Sequence, residues 1–104
     1  MKNQQDDFDM WIAKIIAKRP NFASEYLEAT LEEYKEFKDS KAILGALKQI
    51  ALAQGIGRIA ERAGIPRVTI SRALSEKGNP RMDTFMSIID AMGLNISFSV
   101  QHNK

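Results

Sequence analysis

A chain of 104 residues with no cysteine and a formal net charge of +2 has room for one modest core and excludes a disulfide framework or a thiolate metal site. Its longest apolar run falls far short of the ~20 residues of a membrane span, and its N-terminus, MKNQQDDFDM, is polar where a secretion signal would be apolar. A soluble, cytoplasmic protein is expected. The small total hides an uneven distribution: residues 1–39 hold six Lys/Arg against nine Asp/Glu, or −3, while residues 40–104 hold nine against four, or +5. An acidic arm on a basic body suits two different partners, although two solvated helical surfaces would give the same count.

In chain order, Phe8, Trp11, Ile12, Ile15 and Ile16 recur at three- and four-residue steps and predict an amphipathic helix closed by Arg19-Pro20. After Pro20 a second helical stripe carries Phe22, Ala23, Tyr26, Leu27, Thr30, Leu31, Tyr34 and Phe37, with Glu25, Glu28, Glu32, Glu33 and Glu36 mostly off it. Core burial is expected for Tyr26, Leu27 and Leu31. Asp39-Ser40 offers an N-cap to a third helix with Ile43, Leu44, Leu47, Ile50 and Ala51 inward, and Gly55 offers its stop.

Residues 56–81, IGRIAERAGIPRVTISRALSEKGNPR, predict two short helices around a tight turn at Gly64, the pattern of a helix-turn-helix. Ile59, Ala60, Ala63, Ile65, Ile70, Ala73 and Leu74 form the inward face. Ala60 leaves room where the helices cross, Gly64 tolerates positive φ, and Pro66 suits the first turn of the second helix. SEKGNPR then reads as a loop. Met82, Phe85, Met86, Ile88, Ile89 and Met92 mark a sixth helix ending at Gly93.

Beyond it Leu94, Ile96, Phe98 and Val100 alternate with polar residues, and alternation predicts a β-strand. A lone strand needs a neighbour. The same strand of a second copy would supply one with two-fold symmetry, making these four residues dimerisation candidates; pairing with the N-terminal arm, or fraying, is the alternative.

No catalytic constellation is visible. The single histidine, His102, lies in the C-terminal tail, no cluster has metal-ligand spacing, and the glycines lack the strand and Lys-Ser/Thr pair of a phosphate loop. No enzyme activity, metal or cofactor is expected. Gly57 has two readings: it admits close approach of a phosphate, or its helix starts later.

The outward positions of the second motif helix are Arg67, Val68, Thr69, Ser71 and Arg72, a set able to read DNA. Arg67 is the candidate for a bidentate contact to a guanine edge, while Val68 and the Thr69 methyl suit thymine methyls. Thr69 and Ser71 hydroxyls, Arg72, Lys77, Asn79 and Arg81 suit phosphate, as do the helix N-termini near Ile56 and Met82. Four basic residues against one acidic across residues 66–81 favour this over plain surface solubility.

On these residues, from ILGALKQIALAQG through RIAERAGIPRVTISRALSEKGNPRMDTFMSIIDAMGL, the chain resembles the five-helix DNA-binding domain of the phage-repressor and Cro-like XRE family. With EYLEATLEE before them, it resembles antidote proteins of bacterial type II toxin–antitoxin modules, close to the HigA-like group. The resemblance implies base reading by Arg67, Val68, Thr69, Ser71 and Arg72. It departs from the family pattern at Ile56, where a polar phosphate contact is common, and at Arg81, where a capping Ser is common. It also implies a small basic toxin of the RelE/ParE/HigB-like class, with Phe8, Trp11, Glu25, Glu28 and Glu32 as partner-binding candidates and Tyr34 as a further possible aromatic anchor.

The expected fold is therefore mainly α: a lambda-repressor-like helix-turn-helix bundle (residues 40–93) with an N-terminal helical extension (1–39) and a C-terminal strand and tail (94–104). The expected function is a homodimeric antitoxin that binds operator DNA and a toxin protein, with no membrane contact. Two alternatives stay open: a prophage-type repressor or other small regulator with no toxin partner, its N-terminal helices a structural lid, and a pure protein-interaction module.

Overall fold

The computed structural model describes residues 4–101, and six helices account for its regular structure. They are α1 Gln4–Lys18, α2 Pro20–Phe37, α3 Lys41–Gln54, α4 Ile56–Ala63, α5 Arg67–Ala73 and α6 Met82–Ala91. Their limits follow local chemistry. Pro20 opens α2, where a missing N–H costs nothing, and Lys38 ends it in a left-handed conformation with its N–H on the Tyr34 carbonyl. At α3 the N-cap residue is Ser40, whose carbonyl accepts the Leu44 N–H at 3.0 Å but whose side chain makes no cap bond; the side-chain bond comes instead from the Asp39 carboxylate, which accepts the Lys41 N–H at 3.0 Å. Gly64 turns the chain between α4 and α5 at φ 69°, donating its N–H to the Ala60 carbonyl.

The central element is α3, against which α1, α2 and α4 all pack. Leu44, Leu47, Ile50 and Ala51 of α3 meet Ile12 and Ile16 of α1, Ala23 of α2, Ile59 and Ala60 of α4, Ile70 and Ala73 of α5, and Ile88 and Ile89 of α6 in one apolar cluster. A fully buried isoleucine or leucine contributes roughly 1.5–3 kcal/mol, so Ile12 and Ile16 make α1 an integral layer of the fold. The core runs without a break across residue 39. The end of α6 is tied down by polar bonds: Gln54 Nε2 donates to the Met92 carbonyl at 3.0 Å, and Arg62 Nη1 to the Ala91 carbonyl at 3.3 Å.

The α1 stripe is rotated from the one the apolar residues suggest. Asp9, Ile12, Ala13 and Ile16 are buried, at steps of three, one and three residues, while Phe8 and Trp11 stand on the exposed flank. Leu31, expected inside, is also exposed.

The expected C-terminal strand is absent: no strand forms among the described residues, and 94–101 run without regular structure. Gly93, at φ 78°, turns the chain off α6, and the Leu94 N–H closes the cap on the Ile89 carbonyl. A ladder then needs a sheet edge, and six helices provide none. The N-terminal arm, the alternative neighbour, is helical from Gln4. Leu94 packs against the core, but Ile96, Phe98 and Val100 are exposed, Phe98 at 94%. His102 lies outside the described residues.

Candidate nucleic-acid interface and partner surface

The surface around α5 follows from how that short helix is anchored. Pro66, extended at ψ 147°, is its N-cap, one residue ahead of the expected first helical turn, and its carbonyl accepts N–H bonds from Thr69 and Ile70. Ile70, Ala73 and Leu74 are buried beneath. This fixes the roll of the helix, leaving Arg67, Val68, Ser71 and Arg72 exposed and Thr69 half-buried. Val68 is an uncovered branched apolar side chain in the first turn.

The loop after α5 is folded back by a steric requirement at Gly78. Its N–H donates to the Ser75 carbonyl at 2.8 Å, and a Cβ at this position would lie 2.0 Å from the Ala73 carbonyl oxygen. Only glycine fits, because that oxygen belongs to the backbone of a packed helix. The close approach brings Lys77, Asn79 and Arg81 together with Thr69 and Arg72 around one open concavity of about 330 Å³, floored by Ala73 and Pro80. Three cationic side chains thus converge, Arg72 from α5 with Lys77 and Arg81 from the loop 5 and 9 residues further along the sequence.

Two expected phosphate positions look different in the structure. At the start of α6, Asp83 brings its own carboxylate to the positive helix end: it accepts the Thr84 N–H at 2.8 Å and lies 3.6 Å from Arg81 Nε. At the start of α4, Ile56 packs against the core. Gly57 lies in the helix's first turn, so the helix does not begin later, and a Cβ there would sit 3.8 Å from the Arg67 guanidinium carbon. Arg67 is therefore folded toward α4.

The partner candidates are all at the surface. Phe8 and Trp11 are exposed, Trp11 at 59%, with ring centroids 6.1 Å apart, and Glu25, Glu28 and Glu32 face solvent on α2. The Glu32–Lys35 pair at 3.6 Å is exposed on both sides and contributes little.

A buried polar junction behind α1 was not foreseen. Asp9, 2% exposed, accepts hydrogen bonds from Gln49 Nε2 at 2.7 Å and Gln5 Nε2 at 2.9 Å and pairs with Lys48 Nζ at 3.1 Å. Tyr26 stands nearby: burial raises its phenol above the ordinary 10.0, a hydrogen bond with Gln49 opposes this, and the charges of Asp9 and Glu33 add to it. The available signal was the three- and four-residue spacing from Asp9 to Ile12 and Ala13, which puts an acid on the buried stripe. Among the described residues no three His, Cys, Asp or Glu side chains are grouped to hold a metal ion. No described helix is long and apolar enough to cross a membrane.

The structure is thus a small helical body with an acidic helical edge and a basic concavity. Residues 6–100 match the family described as probable addiction module antidote proteins, and the chain belongs to that family. An uncharacterized protein of Haemophilus influenzae is 35% identical over 104 residues, covering 100% of this chain and 98% of the relative. No solved structure matches. Membership of an antidote family implies a toxin partner of some kind.

Proposed function

We propose that the chain is an antitoxin that neutralises a small basic toxin of the RelE/ParE/HigB-like class and, as an XRE-type helix-turn-helix protein close to the HigA-like group, represses its own operon. It acts by binding rather than by catalysis. In this reading α5 enters the major groove, Arg67 and Val68 meet base edges with Thr69, Ser71 and Arg72, and Lys77, Asn79 and Arg81 grip phosphate. The observation that carries the DNA half is the convergence of Arg72, Lys77 and Arg81 around one concavity beside an uncovered α5 surface. A homodimer suits two-fold operators, and the exposed Ile96, Phe98 and Val100 side chains supply apolar surface for the second copy. The toxin half rests on the family and on the acidic surface of the N-terminal helices, including Phe8, Trp11, Glu25, Glu28 and Glu32.

The test has two arms. Co-expression with the product of the adjoining small reading frame should relieve that product's toxicity and yield a stable complex. A duplex covering the chain's own promoter should be bound in a gel shift more tightly than a scrambled duplex of equal length. Specific promoter binding without any toxic neighbour would leave the regulator reading, which the burial of α1 as a structural layer also accommodates.

A further inference from the structure

The apolar stripe of α2 is twice as long as the surface it covers. As far as Thr30 the stripe is covered: Ala23 and Thr30 are buried and Phe22, Tyr26 and Leu27 pack against the core. The same stripe continues through Leu31, Tyr34 and Phe37, which are 49%, 39% and 64% exposed, and every residue from Leu31 to Ser40 is exposed. Two turns of helix thus project with their apolar side uncovered. A helix this short gains most of its stability from packing one face, so an uncovered continuation of that face marks a surface completed by something else.

Charge decides what that is. Residues 20–37 carry five glutamates and one lysine, a net −4. Pairing this helix with its counterpart in a second copy would set like charges against each other, whereas a basic surface would be drawn to it. A cation already stands on the stripe: Lys38 Nζ lies 5.7 Å from the Tyr34 ring centroid, so that ring accepts a basic side chain in the chain itself.

We propose that Leu31–Phe37 is the central docking surface for the basic protein partner. Leu31, Tyr34 and Phe37 enter an apolar groove on it, and Glu28, Glu32 and Glu36 form the charged rim. The partner completes the helix that the chain's own body supports only halfway. This rests on the antitoxin reading and names the surface that reading uses.

The test takes the full chain and the product of the adjoining reading frame, with affinity measured by calorimetry at low and high salt. The probes are Leu31→Ser combined with Phe37→Ser, and Glu32→Lys combined with Glu36→Lys; Met86→Ser, another exposed apolar residue, is the control. All of these side chains are exposed, so unchanged thermal melting certifies the fold. Removing two anchors should weaken binding about 100-fold or more. Charge reversal should weaken it about 10-fold at low salt and less at high salt, and Met86→Ser should leave it unchanged. If the unaltered chain binds and the α2 variants bind equally well, the docking surface is elsewhere while the antitoxin reading stands. If the α2 variants lose self-association instead, a second copy is the occupant and the proposal fails. Failure of the unaltered chain to bind its neighbour removes both.

Discussion

Asp9 of α1 and Lys48 of α3 are joined by an ion pair of 3.1 Å whose two halves are unequally buried: the aspartate side chain is 3% exposed and the lysine 34%. Two amides, from Gln5 and Gln49, also converge on the carboxylate. The pair sits at the contact between the N-terminal helix and the centre of the core, so it fixes how α1 docks.

Removing the two partners should have different consequences. Lys48→Ala leaves a buried carboxylate with only amide donors and should destabilise by ~2–3 kcal/mol in chemical denaturation. Replacing the pair together, Asp9→Leu with Lys48→Met, should not recover that loss, because the buried Gln49 amide then loses the carboxylate it donates to. If Lys48→Ala costs no more than an ordinary surface substitution, within ~0.5 kcal/mol, the amides alone satisfy Asp9.

Tyr26 gives a pH signature. Its phenol is raised above 10.0 in the folded chain, first by burial. Above pH 10 the unfolded chain releases this proton while the folded chain still holds it, so the unfolded state binds fewer protons and stability falls as pH rises. The contribution is fully present below pH 10 and is lost through the raised value. Denaturation midpoints of Tyr26→Phe should decline less between neutral pH and pH 11 than those of the unaltered chain; parallel declines would assign the alkaline loss to other groups.

Gly78→Ala should do more damage than a loop substitution usually does. The added methyl would meet the Ala73 carbonyl at 2.0 Å, so the loop must move or the end of α5 must yield, at roughly 1–3 kcal/mol. The displaced loop takes Lys77, Asn79 and Arg81 with it. Thermal melting should fall, and promoter binding should fall further than melting accounts for. An unchanged gel shift would separate the concavity from DNA binding.

The two kinds of basic residue should be separable. Arg67→Ala should relax discrimination between duplexes by about 1–3 kcal/mol if it reads a base. Lys77→Ala should weaken all duplexes alike and reduce the salt slope by about 1. Equal effects of both changes on every sequence would remove the base-reading role of Arg67.

Deleting residues 1–19 should destabilise the chain whichever function is right, because Ile12 and Ile16 leave the core. Loss of a cooperative melting transition is the expected readout, and a body that still melts cooperatively at the same temperature would contradict the packing of α1. Point substitutions on exposed residues are therefore the means of locating the partner.

The helical elements were legible because each carries its own boundary chemistry. Arg19-Pro20 divides α1 from α2, Gly64 provides the left-handed turn before α5, and Gly93 ends α6. The inward set Ile59, Ala60, Ile70, Ala73 and Leu74 was legible for the same reason: three- and four-residue spacing selects one face of a helix whatever it packs against. Leu94–Gln101 shows the limit of that logic. Alternation specifies which side chains would share a face of a sheet, but a strand exists only with a hydrogen-bonding neighbour, and the described chain holds none.

The sequence by itself determined six helices, their faces, and the concentration of acid in the first third and base around residues 66–81, because these depend on local spacing and composition. Tertiary structure decided which parts of those faces are used. It rotated α1 to bury Asp9 instead of Phe8 and Trp11, left Leu31, Tyr34 and Phe37 without a cover, and drew Lys77, Asn79 and Arg81 back to α5 through the contact at Gly78. The reason is that burial belongs to pairs of surfaces: a stripe is buried only where another element meets it, and where α2 outruns the body the same residue pattern remains in water.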